Sequence, residues 1–233
     1  MRVSAPVALA LIVTVVTGAQ CSDKQTTGKG RQTIVTVADQ SIGEFLENVA
    51  SQQVTPSGGT VAAVGGAMGA ALCEMVCFHT VGPDGEGDAS TELVDIREML
   101  GDRRNRLLEL ADEDASAVDD VQTAFETDDV SRRRTAMKRS TEVPLSMAET
   151  CLDVLESAVT VTEKGTSVAI PDAVTGALLA EGALRAAVST VRANIRMIDE
   201  AEFVAEMEQR SDELVGSADN AMAAIVANFD SRT

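Results

Sequence analysis

Asp114 occupies a position where a leucine would suit the pattern. Leu93, Leu100, Leu107 and Val121 recur at multiples of seven, and Ile96, Leu110, Ala117 and Ala124 fill the companion positions. That is a heptad stripe facing a core. The seven-residue series passes through Asp114 in "DEDA", while Asp112 falls on the opposite face. An unpaired carboxylate buried among aliphatic side chains costs several kcal/mol, about the size of a large destabilising mutation. Asp114 therefore either pairs with an arginine, Arg103 on its own face or one from another helix, and sets helix register, or it moves protons. Periodicity alone leaves both readings open.

A second constellation is "TPSGGTVAAVGGAMGAAL", residues 55–72. A turn runs directly into a helix made almost wholly of Gly, Ala and Val. Side chains this small let backbones approach one another, or let a backbone approach a ligand. The N–H groups of Ser57, Gly58, Gly59 and Thr60 fall at the positive end of that helix, where an anion or a polar ring edge can be held. Gly65, Gly66 and Gly69 lie further along and suit close helix packing. Asp172 follows Pro171 in the first turn of a later helix. It is a second candidate for proton transfer, although simple stabilisation by the helix dipole is the plainer explanation.

Basic residues form two clusters, Arg132, Arg133, Arg134, Lys138 and Arg139, then Arg185, Arg192 and Arg196. Guanidinium forks match carboxylates in geometry. Arg132 and Arg133 read as partners of surplus surface acid. Cys73 and Cys77 share one helical face, but the chain has a single His, His79, and no second ligand pair nearby. Buried free thiols are the expectation for Cys73, Cys77 and Cys151, with no metal and no disulfide framework.

The elements that must position these groups are helices. Ser41 and Glu44 form a capping box ahead of Phe45, Leu46 and Val49, so a first helix is expected at about 41–53. Further helices are expected at about 60–81, 90–127, 130–163, 171–199 and 202–228, with a loop at "GPDGEGD" and a kink at Pro144. No segment alternates with period two long enough for a strand. The fold class is all-α, a bundle of about six mostly long antiparallel helices.

Composition agrees. Of 233 residues, 45% are hydrophobic but only 2% aromatic, so the core must be aliphatic. The formal net charge is −18, spread along the whole chain, which argues against a nucleic-acid partner. Dispersed acid with scarce Lys suits a protein working in high salt, where the Debye length falls to about 3 Å at molar ionic strength. Residues 1–35 read separately from the helical domain at 36–233. "MRVSAPVALALIVTVVTGAQC" resembles a secretory or lipoprotein signal, although Gln20 stands where a lipoprotein site wants a small residue. A start near Val35 competes with that reading. A cytoplasmic protein with an inert extension is the expectation, and membrane attachment follows only if residues 1–21 are a genuine signal.

Five segments, in order, resemble the cyclodeaminase/cyclohydrolase family, meaning the C-terminal domain of formiminotransferase-cyclodeaminase and the stand-alone methenyltetrahydrofolate cyclohydrolases. They are the glycine-rich stretch, "LADEDASAV", "RRRTAMKRSTEVPLSMAE", "SVAIPDAVTGALLAEGAL" and "RANIRMIDEAEF", spanning about 41–203. The pattern departs at Ser57, which replaces the first loop glycine. It departs again at Pro171, which replaces a Ser, and at Ile198, which replaces an Asn.

The resemblance implies tetrahydrofolate one-carbon chemistry. The expected reaction is water addition to methenyltetrahydrofolate, with ammonia loss from formiminotetrahydrofolate as the alternative and a non-catalytic folate-binding protein as a further one. Within that chemistry Asp114, buried by its place on the apolar stripe, is the first candidate for proton transfer and Asp172 the second. The resemblance implies substrate contacts from Pro56, Ser57, Gly58, Gly59, Thr60, Arg134, Lys138 and Asn194. The substrate is a tetrahydrofolate derivative, with no metal or redox cofactor, and the assembly is an intertwined homodimer.

Overall fold

A computed structural model of the chain describes residues 36–81 and 88–232, all within the unit Thr36–Thr233. The readings of residues 1–35, of Cys21 and of the loop at 82–87 lie outside the described residues. Among the described residues there are six α-helices: α1 (Ile42–Val49), α2 (Gly58–Val81), α3 (Asp88–Phe125), α4 (Val130–Lys164), α5 (Ile170–Asn194) and α6 (Ala201–Arg232). Single 3₁₀ turns sit at Val37–Asp39, Ser167–Ala169 and Ile195–Met197. Among the described residues there is no strand.

Local chemistry sets most boundaries. The capping box at α1 forms as expected, with Glu44 N–H donating to Ser41 Oγ at 3.2 Å and Ser41 N–H donating to Glu44 Oε2 at 3.0 Å. The helix ends at Val49 rather than near 53. Ser51 Oγ instead accepts the N–H of Gln53 at 3.1 Å, a local turn that competes with another helical residue. Asp129 caps α4 by accepting the Arg132 N–H at 3.0 Å. The α4 helix then runs through Pro144 without a break in its span. Ile170 opens α5 one residue before Pro171, which lies in the first turn, where a missing N–H costs nothing.

Successive helices from α2 onward run antiparallel. Glu74 pairs with Arg104 across α2 and α3, and Gly59 meets Asp114 at the other end of the same contact. Arg103 pairs with Asp153 across α3 and α4, Asn194 meets Ser140 across α4 and α5, and Arg192 pairs with Asp212 across α5 and α6. The sequence-distant pair α2 and α5 packs backbone against backbone. A methyl added at Gly69 would stand 2.5 Å from the Gly176 carbonyl oxygen, and one at Gly176 would stand 2.7 Å from the Gly69 carbonyl oxygen. The small residues of α2 thus let two backbones touch. Gly66 belongs to the same packing, facing Cys151 and Leu107. Gly65 does not, since nothing lies within 4 Å of where its side chain would be.

The core is aliphatic. Every hydrophobic member of the α3 stripe named above is buried, from Leu93 to Ala124. A short 3₁₀ turn is tied onto α3 by the Val37 N–H, which donates to Asp112 Oδ1 at 2.9 Å. The carboxylate on the far face of α3 therefore has a structural task.

Candidate active site

Asp114 is buried, with 4% of its surface exposed, although charged side chains are rarely so enclosed unless paired. It does not pair with Arg103, which binds Asp153 at 2.7 Å instead. Among the described residues no cation lies within ion-pair distance of it. Two hydroxyls hold it. Ser57 Oγ donates to Oδ2 at 2.5 Å, and Thr60 Oγ1 donates to the same oxygen at 2.9 Å.

The glycine loop positions these hydroxyls. Ser57 precedes the first residue of α2, and its Oγ accepts the Gly59 N–H at 3.1 Å, so it caps the helix. The Ser57 N–H donates to Thr60 Oγ1 at 3.2 Å. Two of the four backbone donors expected to face a ligand are thus turned onto side chains of the loop itself. What sequence reasoning missed is that the hydroxyls, rather than the amides, of Ser57 and Thr60 reach the carboxylate. The signal was available, since two hydroxyl residues three positions apart at a helix start lie on one side of the first turn. Gly59 completes the cradle: a methyl there would stand 2.4 Å from Asp114 Oδ1 and 2.8 Å from its Cγ.

Asp172 lies elsewhere. It is exposed in the first turn of α5, next to Ala173, whose carbonyl meets the Cys73 thiol. Gly59 and Cys73 are fourteen residues apart on α2, about 20 Å at the rise of an α-helix. One subunit therefore does not bring the two aspartates together, and the position of Asp172 suits stabilisation by the helix dipole.

The remaining candidates lie towards the Asp114 end of the bundle. Asn194 Nδ2 donates to the Ser140 carbonyl at 2.6 Å. Arg134 and Lys138 both meet the carboxylate of Glu200, at 3.3 and 2.6 Å. Lys138 also lies 4.9 Å above the Phe203 ring. Glu200 was not foreseen, and its place between two cations shows that a carboxylate fits there. A cleft of about 230 Å³ adjoins it, lined in part by Phe125, Met137, Ile198, Arg134 and Glu200. Arg133 instead turns towards the α3 C-terminus, donating to the Ala124 and Thr127 carbonyls.

Burial pushes the thiols of Cys73 and Cys151 up to about 12 and that of Cys77 up to about 11. They are packing groups in neutral solution. Among the described residues, no cluster of three or more His, Cys, Asp or Glu could hold a metal.

The family model described as "Formiminotransferase-cyclodeaminase" matches residues 41–213, which include the glycine loop, Asp114 and Asn194. The chain belongs to the formiminotransferase-cyclodeaminase family. A methenyltetrahydrofolate cyclohydrolase of Methylorubrum extorquens is 35% identical over 187 residues, covering 76% of this chain and 88% of that protein. The formimidoyltransferase-cyclodeaminase of Gallus gallus is 25% identical over 200 residues, but this chain spans only 37% of its length. The crystal structure of a formiminotetrahydrofolate cyclodeaminase from Thermotoga maritima superimposes with a TM-score of 0.80 at 26% identity, covering 84% of this chain and 98% of that one. The formiminotransferase-cyclodeaminase fold thus extends over the helices that build the Asp114 cradle.

Proposed function

We propose that the chain is a tetrahydrofolate one-carbon enzyme that adds water to methenyltetrahydrofolate and releases formyltetrahydrofolate, with Asp114 as the proton-transfer group. The observation that carries this reading is the seating of a lone buried carboxylate against the glycine loop, held by hydroxyls and free of any cation among the described residues. Asp114 takes a proton from water as the water oxygen bonds to the amidinium carbon, and the carbon–nitrogen π electrons return to nitrogen. It then gives that proton to the nitrogen whose bond to the carbon breaks. The remaining hydroxyl proton leaves to solvent as the formyl carbonyl forms, so one proton is released per turnover. An anionic group facing the cationic methenyl carbon also stabilises the bound substrate.

Water addition is favoured over ammonia loss by the 35% identical relative, which is named for that activity and is matched over most of its length. The alternative, ring closure of a formimino group with loss of ammonia, is supported by the superposition on the Thermotoga maritima cyclodeaminase. Both reactions pass through a tetrahedral carbon between two nitrogens and use the same carboxylate. The pairing of Arg134 and Lys138 with the Glu200 carboxylate supports their role in taking a folate carboxylate, and Asn194 lies near them.

The assembly we infer is a homodimer. On α2 the side chains of Val61 and Met68 are exposed at 39% and 45%, and Gly65 between them opens outward. Leu178 and Leu179 are exposed on α5. Both helices are long and apolar enough to cross a membrane by length and composition, with about half of each apolar window buried in the bundle. A second copy covers such a surface. We place the enzyme in the cytoplasm, and N-terminal mass analysis of the native protein tests that placement.

The deciding experiment follows the near-ultraviolet absorbance of methenyltetrahydrofolate in molar salt, with formiminotetrahydrofolate as the competing substrate. Water addition should be the faster reaction. Asp114→Asn should slow it by about a hundredfold or more with the helical circular dichroism unchanged. Asparagine keeps one carbonyl oxygen for the two hydroxyls but carries no exchangeable carboxyl proton. A variant as fast as the wild type would refute the role of Asp114.

A further inference from the structure

We propose that Ser57 is a positioning residue that, together with Thr60, decides which oxygen of Asp114 exchanges protons; this rests on Asp114 being the proton-transfer group. Ser57 stands where the family resemblance puts a glycine. The direction of its hydroxyl is set by its surroundings. The Gly59 N–H donates into Ser57 Oγ at 3.1 Å, which leaves the hydroxyl proton to point at Asp114 Oδ2, 2.5 Å away. Thr60 repeats the arrangement. Its Oγ1 accepts the Ser57 N–H at 3.2 Å and donates to the same Oδ2 at 2.9 Å.

A carboxylate oxygen has two in-plane lone pairs, and both of those on Oδ2 are occupied by hydroxyl protons. A proton that Asp114 accepts or releases is therefore confined to Oδ1. That oxygen accepts no hydrogen bond among the described residues, so its lone pairs stay open to the proton. It lies over Gly59, where a side chain would meet it at 2.4 Å. Rotating the carboxyl group to exchange its oxygens would break both hydroxyl bonds at once. Without the Ser57 hydroxyl only the Thr60 bond opposes that rotation, and one lone pair of Oδ2 becomes open to the proton. The proton then divides between an oxygen that faces the reacting carbon and one that does not.

The test measures kcat and KM on methenyltetrahydrofolate for the full chain, Ser57→Gly, Ser57→Ala, Asp114→Asn and the double variant Ser57→Gly with Asp114→Asn. Expected is a fall in kcat of about tenfold for both Ser57 variants, as for a misaligned reacting group. KM should stay within about twofold, and Ser57→Gly should cause no further loss once Asp114 is replaced, because the two residues act as one unit. Ser57 variants with wild-type kcat beside a slow Asp114→Asn overturn the positioning role and leave the proton-transfer reading standing. A raised KM at constant kcat overturns it too, making Ser57 a substrate contact, and so does an equal loss in both backgrounds. An inactive wild-type protein, or an Asp114→Asn variant at full rate, removes the reading on which the inference rests.

Discussion

Gly59 and Asp114 touch: the position of a Cβ on Gly59 lies 2.4 Å from Asp114 Oδ1, 2.8 Å from Cγ and 2.9 Å from Oδ2. No real side-chain carbon tolerates such distances, and the carboxylate is tethered to this same loop by Ser57 and Thr60. Gly59→Ala must therefore displace the carboxyl group by roughly an ångström or push the start of α2 off α3. A shift of about 1 Å in a reacting group costs about a hundredfold in rate, so a loss of that size is expected. Helical content should be retained, because the rest of α2 is anchored at Gly66 and Gly69. Circular dichroism and initial rates on methenyltetrahydrofolate check this, and an alanine variant with full activity would contradict the geometry.

Stability should rise with salt. The net charge of −18 produces self-repulsion that falls as the Debye length shrinks from about 10 Å at 0.1 M to about 3 Å at 1 M. Screening also weakens the ion pairs, such as Arg192 with Asp212 and Arg185 with Asp219, but these join groups largely open to solvent. Such pairs contribute about 0–1 kcal/mol each. The net effect should be an increase in Tm between 0.1 and 2 M potassium chloride. A flat or falling Tm would mean that the acidity has no link to high salt.

Much of this architecture was legible because helix periodicity survives burial. The α3 stripe predicted the buried faces of Leu100, Leu107 and Leu110, and it marked Asp114 as the misfit among them. That Ser57 and Thr60 share one side of the first turn of α2 was legible, but that they meet Asp114 was not, because periodicity reports which face a residue lies on and not which partner it meets across helices. Ser57 and Asp114 are 57 residues apart in sequence. Asp172 shows a further limit. Local sequence offered it as a second candidate acid beside a helix-dipole role, and only the antiparallel packing of α2 on α5 shows that one subunit holds it far from Gly59. Arg103 looked like a partner for Asp114 on spacing alone, but Asp153 on α4 lies closer.

The three core thiols should resist modification. Burial holds the Cys73 and Cys151 thiols up at about 12 and Cys77 at about 11. The reactive thiolate is therefore a minute fraction at pH 8, and all three side chains are enclosed. Peptide mapping after iodoacetamide treatment of the folded full chain should find these three unlabelled, and labelled once the chain is unfolded in guanidinium. Labelling of Cys151 under native conditions would show that the contact between α2, α4 and Gly66 opens readily.

The α2 surface makes the last prediction. Val61, Gly65 and Met68 follow one another at helical spacing on the side of α2 turned away from α5. The helix is apolar on all sides, which a solvent-facing helix does not need. If a second copy covers this stripe, Met68→Glu places a charge in an apolar contact and should dissociate the assembly. A monomer placed in water tolerates the same change. Sedimentation velocity at micromolar protein in molar salt should give a dimer for the wild type and a monomer for Met68→Glu. Thermal stability should drop in the variant as the linkage to association is lost. A wild type that sediments as a monomer would leave the stripe without a partner and remove the homodimer from the proposal. A variant that stays dimeric would move the interface to another face, such as that of Leu178 and Leu179.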